Sequence, residues 1–200
     1  MKYFIIGLHA SGKQEIVDML RELGISCGKL FSNMEEPSPN IYNSLNYELY
    51  SNKDVMDIFE NNAYVFIQEM KGNQYDGVYK YFEGLSSYTY DNNEVFSLSP
   101  DQVLMISPNN LKKEEICFIW LDNTKTNRKS RHHTENRPYN FIERDNIERD
   151  GIQSLVKFLY GFENGHIIYF NNEEPTRVAT IIYSIIKHPD LFKLYEKNFN

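Results

Sequence analysis

Residues 3–6 read Tyr3-Phe4-Ile5-Ile6 and residues 7–13 read Gly7-Leu8-His9-Ala10-Ser11-Gly12-Lys13, after which Ile16, Val17, Leu20 and Leu23 recur at helical spacing. A short apolar run, a loop bounded by glycines and an amphipathic helix ended by Gly24 make a strand–loop–helix unit. The loop fits the pattern G-x-x-x-x-G-K. Backbone N–H groups of such a loop wrap around phosphates, the following helix N-terminus adds its dipole, and the lysine acts as a point charge on the outer phosphates. The residues expected to hold a nucleotide are therefore Gly7, His9, Ala10, Ser11, Gly12, Lys13 and Gln14, with Lys13 also catalytic. The competing reading is a tight strand-to-helix turn carrying a surface lysine. The motif wants Ser or Thr after the lysine, because that hydroxyl ligates Mg²⁺. Gln14 stands there instead, Ser11 is the other hydroxyl in the loop, and no residue is assigned as a metal ligand.

Working outward, residues 25–31 are expected as a second strand, and residues 35–40, with Pro37 and Pro39, as a loop. Ser51 suits the N-cap of a helix with Val55, Ile58 and Phe59 on one face, ending at Asn61-Asn62. Residues 63–70 read as a strand, and residues 77–98 as a meander or hairpin around Asp91-Asn92-Asn93. Residues 103–106 and 116–121 are short apolar runs of the buried-strand type. Residues 155–160 continue a helix, and residues 166–170 form the last strand. Pro175 suits a first helical turn, with Val178, Ile181, Ile182, Ile185 and Ile186 as its core face. Strands alternating with helices predict an α/β fold with a mostly parallel central sheet flanked by helices. The expected organisation is one domain: a core of residues 1–31 and 99–200, a β-rich inserted flap at 32–98, and a lid at about 123–150.

Five of the seven arginines, Arg128, Arg131, Arg137, Arg144 and Arg149, fall between residues 128 and 149. The planar guanidinium suits bidentate phosphate contact and charge stabilisation during phosphoryl transfer. Arg131, Arg137, Arg144 and Arg149 are the expected catalytic lid residues. The competing reading pairs the arginines with Glu135, Glu143, Asp145, Glu148 and Asp150 on a solvated helical face. His132-His133 reads as a surface pair rather than a metal site, and Trp120 as core. Tyr79, Tyr81, Tyr88 and Tyr90 alternate, which fits packing better than base stacking in the absence of interleaved basic residues.

Composition excludes whole classes. A formal charge of -7 over 200 residues gives no global attraction to nucleic acid or anionic membrane. No apolar run approaches a membrane span, and residues 1–7 lack the features of a signal peptide. Cys27 and Cys117 form neither a disulfide framework nor a zinc site, so a reducing, cytoplasmic compartment is expected. The 22 asparagines, with many Ile, Lys and Tyr, fit an AT-rich coding sequence such as that of a phage or a low-GC bacterium.

The order of phosphate loop, flap, arginine-rich segment, strand and helix resembles the P-loop nucleoside-monophosphate kinases. The flap resembles that of guanylate kinases: Tyr47-Glu48-Leu49-Tyr50-Ser51 before a helix, then residues 66–77 (FIQEMKGNQYDG). His166 to Asn172 is similar to that family's last strand, which ends in an asparagine. The resemblance implies a P-loop NTPase fold that uses ATP and Mg²⁺, with small-molecule nucleotides as partners. It implies further that Tyr47 and Tyr75 bind the acceptor's phosphate and that Glu69 reads the guanine edge. Three departures stand beside it. Asn33-Met34-Glu35-Glu36-Pro37 replaces the family's arginine pair, residues 103–107 lack the aspartates expected after the flap, and Val78 replaces a small hydroxyl residue. The expected function is transfer of the ATP γ-phosphoryl group to a nucleoside or deoxynucleoside monophosphate. The alternative is a catalytically degenerate nucleotide-binding or protein-interaction module. A larger acceptor, such as a modified nucleic-acid base, sits poorly with the acidity.

Overall fold

A computed structural model describes residues 1–33, 47–74, 77–106, 115–134, 141–160 and 165–195. Strand β1 (Lys2–Gly7) lies at the centre of a four-stranded parallel sheet of order β6-β1-β7-β8, with β6 Val95–Leu98, β7 Ile116–Asp122 and β8 Gly165–Asn171. All six residues of β1 are buried because both faces of the sheet are covered, which is why its sequence is a continuous apolar run rather than an alternation. Tyr3 and Ile5 face a cluster closed by helices α1 (Lys13–Glu22) and, near the C-terminus, α7 (Pro175–Lys187). Phe4 and Ile6 face a second cluster, closed by α4 (Pro100–Met105), the far end of the long helix α6 (Phe141–Tyr160) and the base of the insert. Phe4 meets Phe96 and Phe118 edge-on at 5.8 and 5.7 Å between ring centroids.

The insert carries its own sheet, β3-β2-β5-β4, from β2 Leu30–Ser32, β3 Tyr47–Leu49, β4 Tyr64–Gln74 and β5 Gly77–Ser86. The β4–β5 hairpin is antiparallel, whereas β2 pairs β3 in parallel. Helix α2 (Asn52–Glu60) starts on the Ser51 cap in a full capping box with Asp54. A lid helix, α5 (Lys125–Thr134), follows β7 directly, and a 3₁₀ turn (Pro189–Leu191) leads into α8 (Phe192–Tyr195).

Several sequence expectations need correction. Residues 25–31 do not form one strand: Cys27 makes a lone parallel bridge to Val95 at the edge of the core sheet, and Leu30 begins the insert's sheet. The meander expected at 77–98 is instead β5, a short helix α3 (Ser87–Asn92) and β6, and β6 pairs with β1 in the core sheet. Asp91-Asn92-Asn93 therefore closes a helix rather than a hairpin. Residues 103–106 are helical, because Ser99 caps α4, Pro100 opens it and Gln102 completes a capping box. Leu23 is exposed at the end of α1, off its buried face.

Lys2 is a buried cation with a structural task. Its Nζ donates to the carbonyls of Tyr90, Asn93 and Asp91 at 2.6, 2.7 and 3.3 Å, closing the C-terminal end of α3. Lys2→Met keeps the apolar stem and removes these bonds, so we expect a loss of ~1–3 kcal/mol. A lowered urea midpoint with an unchanged m-value checks this.

Candidate functional site: the phosphate loop and the lid

The loop leaves β1 at its carboxyl end, as a ligand loop of a parallel sheet should. Glycine is required at both of its ends. A Cβ on Gly7 would lie 2.6 Å from Ser11 Oγ and 3.0 Å from the Leu121 carbonyl. Gly12 caps α1 with φ 91°, and a Cβ there would meet Arg131 Nη1 at 2.6 Å and Pro175 Cγ at 3.1 Å. Ala10 also holds a left-handed conformation, φ 56°. The first-turn N–H groups of α1 have no intrahelical acceptor and make the mouth of the loop an anion site. Lys13 Nζ donates back to the carbonyls of Gly7 and Leu8 at 2.6 and 2.9 Å, spanning the loop from its far side. Gly12→Ala adds both strain and a clash, so we expect ~2 kcal/mol lost and weaker nucleotide binding, read by thermal melts with and without ATP.

The lid is stitched to this loop. Asn123, the residue after β7, donates through Nδ2 to the Ser11 carbonyl at 2.7 Å. Asn172, at the end of β8 with φ 52°, accepts from the Thr124 N–H at 2.8 Å and donates its own N–H to the Asp122 carbonyl at 2.9 Å. From α6, Glu148 accepts the His9 backbone N–H at 2.6 Å and lies 3.2 Å from His9 Nδ1. The His9 ring packs on Phe141 at 4.7 Å and edge-on to His132 at 6.2 Å. His132 is accordingly buried, not half of a surface pair, while His133 is exposed.

One turn before Glu148, Asp145 is the hub of the lid. Its carboxylate, fully buried, receives Arg128 at 2.5 Å, Lys125 at 3.1 Å and Arg149 at 3.0 Å. Burial pushes this carboxyl up, but the hydrogen bonds from Arg128, Lys125 and Arg149 outweigh it and hold the group down at about 2. Arg128 is itself wholly buried, with Nε on the Asn123 carbonyl at 3.2 Å and Nη1 on the His9 carbonyl at 3.5 Å. Beside the loop a cavity of about 230 Å³ is lined by Leu8, Trp120, Asp122, Asn123, Arg128 and Tyr169, among others. Tyr169 donates to Asp122 there, and burial together with that carboxylate pushes the phenol up to about 12.

The expected site residues are gathered unevenly. The phosphate-loop residues come together, and Arg131 lies over Gly12, paired with Glu15 at 2.7 Å. Arg149 and Arg128 both join the Asp145 hub, so for these two the ion-pair reading holds, on a buried carboxylate rather than a solvated face. Arg137 and Tyr75 lie outside the described residues, as does the side chain of Arg144. Tyr47 is half-buried against the second core cluster. Glu69 is exposed and paired with Lys80 at 2.8 Å. On the opposite face of β5, Glu83 is buried, in register with Ser32 on β2 and Gln68 on β4. Of the tyrosines, Tyr81 and Tyr90 are buried and Tyr88 is exposed on α3. Sequence reading gave no site role to Asn123, Asp145 or Glu148. The i, i+3 spacing of the two acids and the position of Asn123 just past an apolar strand were the available signals.

No protein-family model matches the chain, and no curated protein matches it significantly. Solved structures do. The guanylate kinase of Anaplasma phagocytophilum aligns over 100% of this chain and 90% of its own, at TM-score 0.54 and 11% identity. This chain shares the fold of that structure, an α/β core with a four-stranded parallel sheet flanked by helices. A looser match is the deoxyadenosine kinase from M. mycoides with bound dATP, at TM-score 0.45 and 11% identity, over 94% of this chain and 100% of that one. Among the described residues, no helix is long and apolar enough to cross a membrane.

Magnesium fits this chain's own side chains poorly. Ser11 Oγ is buried without a hydrogen-bond partner and sits so close to Gly7 that a Cβ there would lie 2.6 Å from it. Gln14 donates through Nε2 to Asp18 at 2.7 Å, leaving an amide oxygen as its only donor. The strand after the insert, β6, runs into Ser99 and Pro100 with no acid at its end.

Proposed function

We propose that the protein transfers the γ-phosphoryl group of ATP to a nucleoside or deoxynucleoside monophosphate. The observation that carries this reading is the phosphate loop itself: a glycine-bounded turn at the carboxyl end of the central strand, closed by Lys13 and bonded through Ser11 and His9 to a cation-rich lid. Catalysis is then positioning and electrostatic stabilisation, without a covalent intermediate. Lys13 faces the outer phosphates, and Arg131 and Arg149, with Arg137 and Arg144, supply positive charge where negative charge spreads over the transferring group.

The acceptor would lie against the insert, held by Tyr47 and Tyr75. One of two carboxylates on opposite faces of the hairpin would read the base: Glu69, which must leave Lys80, or Glu83, on the inner face. A carboxylate facing two N–H donors favours guanine, since adenine offers no such pair on that edge. Initial rates with Mg-ATP across a panel of nucleoside and deoxynucleoside monophosphates test the assignment. Guanine preference abolished by Glu69→Gln or by Glu83→Gln identifies the reader, and equal rates for all bases discard it.

The second reading is a nucleotide-binding module without catalysis. It is favoured by Gln14, which is tied to its own helix where the motif wants a metal-ligating hydroxyl. A rise in melting temperature with ATP, but no turnover on any acceptor, would establish it.

A further inference from the structure

The insert and the core divide the chain's charge unevenly. Residues 32–98 hold eleven acidic residues against three lysines and no arginine, a formal charge of -8, whereas the whole chain carries -7. The entire excess of negative charge therefore lies on the insert, the element proposed to receive the acceptor. Between Lys29 and Lys53 the sequence has no basic residue at all. Of the three lysines, Lys53 is exposed on α2, and Lys71 and Lys80 stand in register on the hairpin, with Lys80 bonded to Glu69.

Strand register fixes what the inner face of the insert's sheet presents. Gln68 pairs with Glu83, Glu83 with Ser32 and Ser32 with Leu49, so these four residues form one row across β4, β5, β2 and β3. Alternation puts the row on the same face as Phe66, Leu85, Leu30 and Tyr47. Those four pack into the second core cluster with Ile6, the residue before the phosphate loop. Glu83 and Ser32 are buried, while Leu49 is 49% exposed. The same alternation puts Glu69 and Lys80 on the opposite face. The row thus offers an amide, a carboxyl, a hydroxyl and an apolar side chain. Such groups match the N–H and O–H groups of an uncharged polar molecule, and they give a phosphate dianion no cation.

Resting on the kinase reading above, we propose that the protein also phosphorylates nucleosides that carry no phosphate, because a phosphate on the acceptor adds nothing to its recognition by the insert. A sugar hydroxyl oxygen forms the new bond to the γ-phosphorus. The bond from that phosphorus to the β–γ bridging oxygen breaks, ADP leaves with the electron pair, and the hydroxyl proton passes to water. The products are a nucleoside monophosphate, ADP and one proton. Because the transition state of such a transfer is loose, the attacking hydroxyl needs no prior ionisation, and the same donor half serves both acceptors.

The test is a chromatographic assay of the full chain with saturating Mg-ATP. Guanosine, deoxyguanosine, adenosine and cytidine are compared with their 5′-monophosphates. For the preferred base, kcat/KM for the nucleoside should lie within about tenfold of that for its monophosphate, or above it, since a phosphate held by charged donors would add more. Salt gives an independent reading. Raising KCl from about 50 to about 300 mM screens the acidic insert, so KM for the monophosphate should fall about twofold while KM for the nucleoside stays constant. Glu83→Gln should raise KM for both acceptors about tenfold with little change in kcat, because both share the row. Ser32→Ala, which removes one buried oxygen, keeps that arm decisive should Glu83→Gln fail to fold. A monophosphate preferred by more than tenfold, a KM for it that rises with salt, or nucleoside turnover that ignores both substitutions overturns the proposal. If monophosphates react and nucleosides do not, only this proposal falls; if neither reacts, the kinase reading falls with it.

Discussion

Lys13→Ala should lower kcat/KM for phosphoryl transfer by ~10²–10³-fold while the protein stays folded. Lys13 is half-exposed in the first turn of α1, and its ammonium donates to the carbonyls of the loop's own Gly7 and Leu8. Removing it leaves those two carbonyls to water at the loop mouth, a small cost because water can reach them. What is lost is a cation at the outer phosphates, and no neighbouring residue substitutes. Arg131 also lies over the loop glycine Gly12, but it bonds to Glu15. Steady-state kinetics beside a thermal melt separate the two effects. A melting temperature near that of the wild type with turnover intact would remove Lys13, and the loop, from the chemistry.

The second large effect is on stability. Arg128→Met should cost ~3–5 kcal/mol, because it removes one partner from a buried ion pair. The Arg128 guanidinium ties Asp145 of α6 to the Asn123 and His9 carbonyls, so its loss leaves all three short of a donor in a buried region. The cost should also depend on pH. The Asp145 carboxyl is held at about 2, against about 3.9 for an ordinary aspartate. A depressed carboxyl stabilises the fold fully above its unfolded value and loses that contribution as pH falls through the folded one. The wild type should therefore lose roughly 2 kcal/mol between about pH 4 and pH 2, with the remainder lost outside that window. With its buried guanidinium gone, Arg128→Met should lose less over the same window. Denaturant midpoints at pH 7, 4 and 2.5 check this, and parallel curves for the two proteins would contradict it.

The parts of the fold legible in the sequence were those fixed by local physics. Strand β1 is apolar from Tyr3 to Ile6 because it is covered on both faces, and Gly7 and Gly12 mark where the backbone must turn tightly. The Ser51 cap and the Pro175 start of α7 follow from hydrogen bonding within one turn. A four-residue apolar run such as 103–106 fits a strand or a helix equally, and only the Ser99 cap decided the matter. The Tyr-rich segment 87–92 has strand-forming residues, yet the cap at Ser86 and the Lys2 bonds hold it helical. The candidate site was half legible. Its loop is contiguous and carries a spacing with a mechanism, whereas Glu148 reaches His9 across 139 residues and Asp145 meets Arg128 across 17. Which of many lid charges turn inward is decided by packing around Phe141 and the phosphate loop, and sequence spacing alone carries little of that.

Phosphoryl transfer is directly observable. ³¹P NMR of the wild-type protein with Mg-ATP and a mixture of nucleoside monophosphates observes it without a coupling enzyme. The ATP γ resonance should decline in step with the growth of a new diphosphate, one for one, with no inorganic phosphate formed beyond the background. An ATP spectrum that stays unchanged, or that yields only inorganic phosphate, would contradict the account.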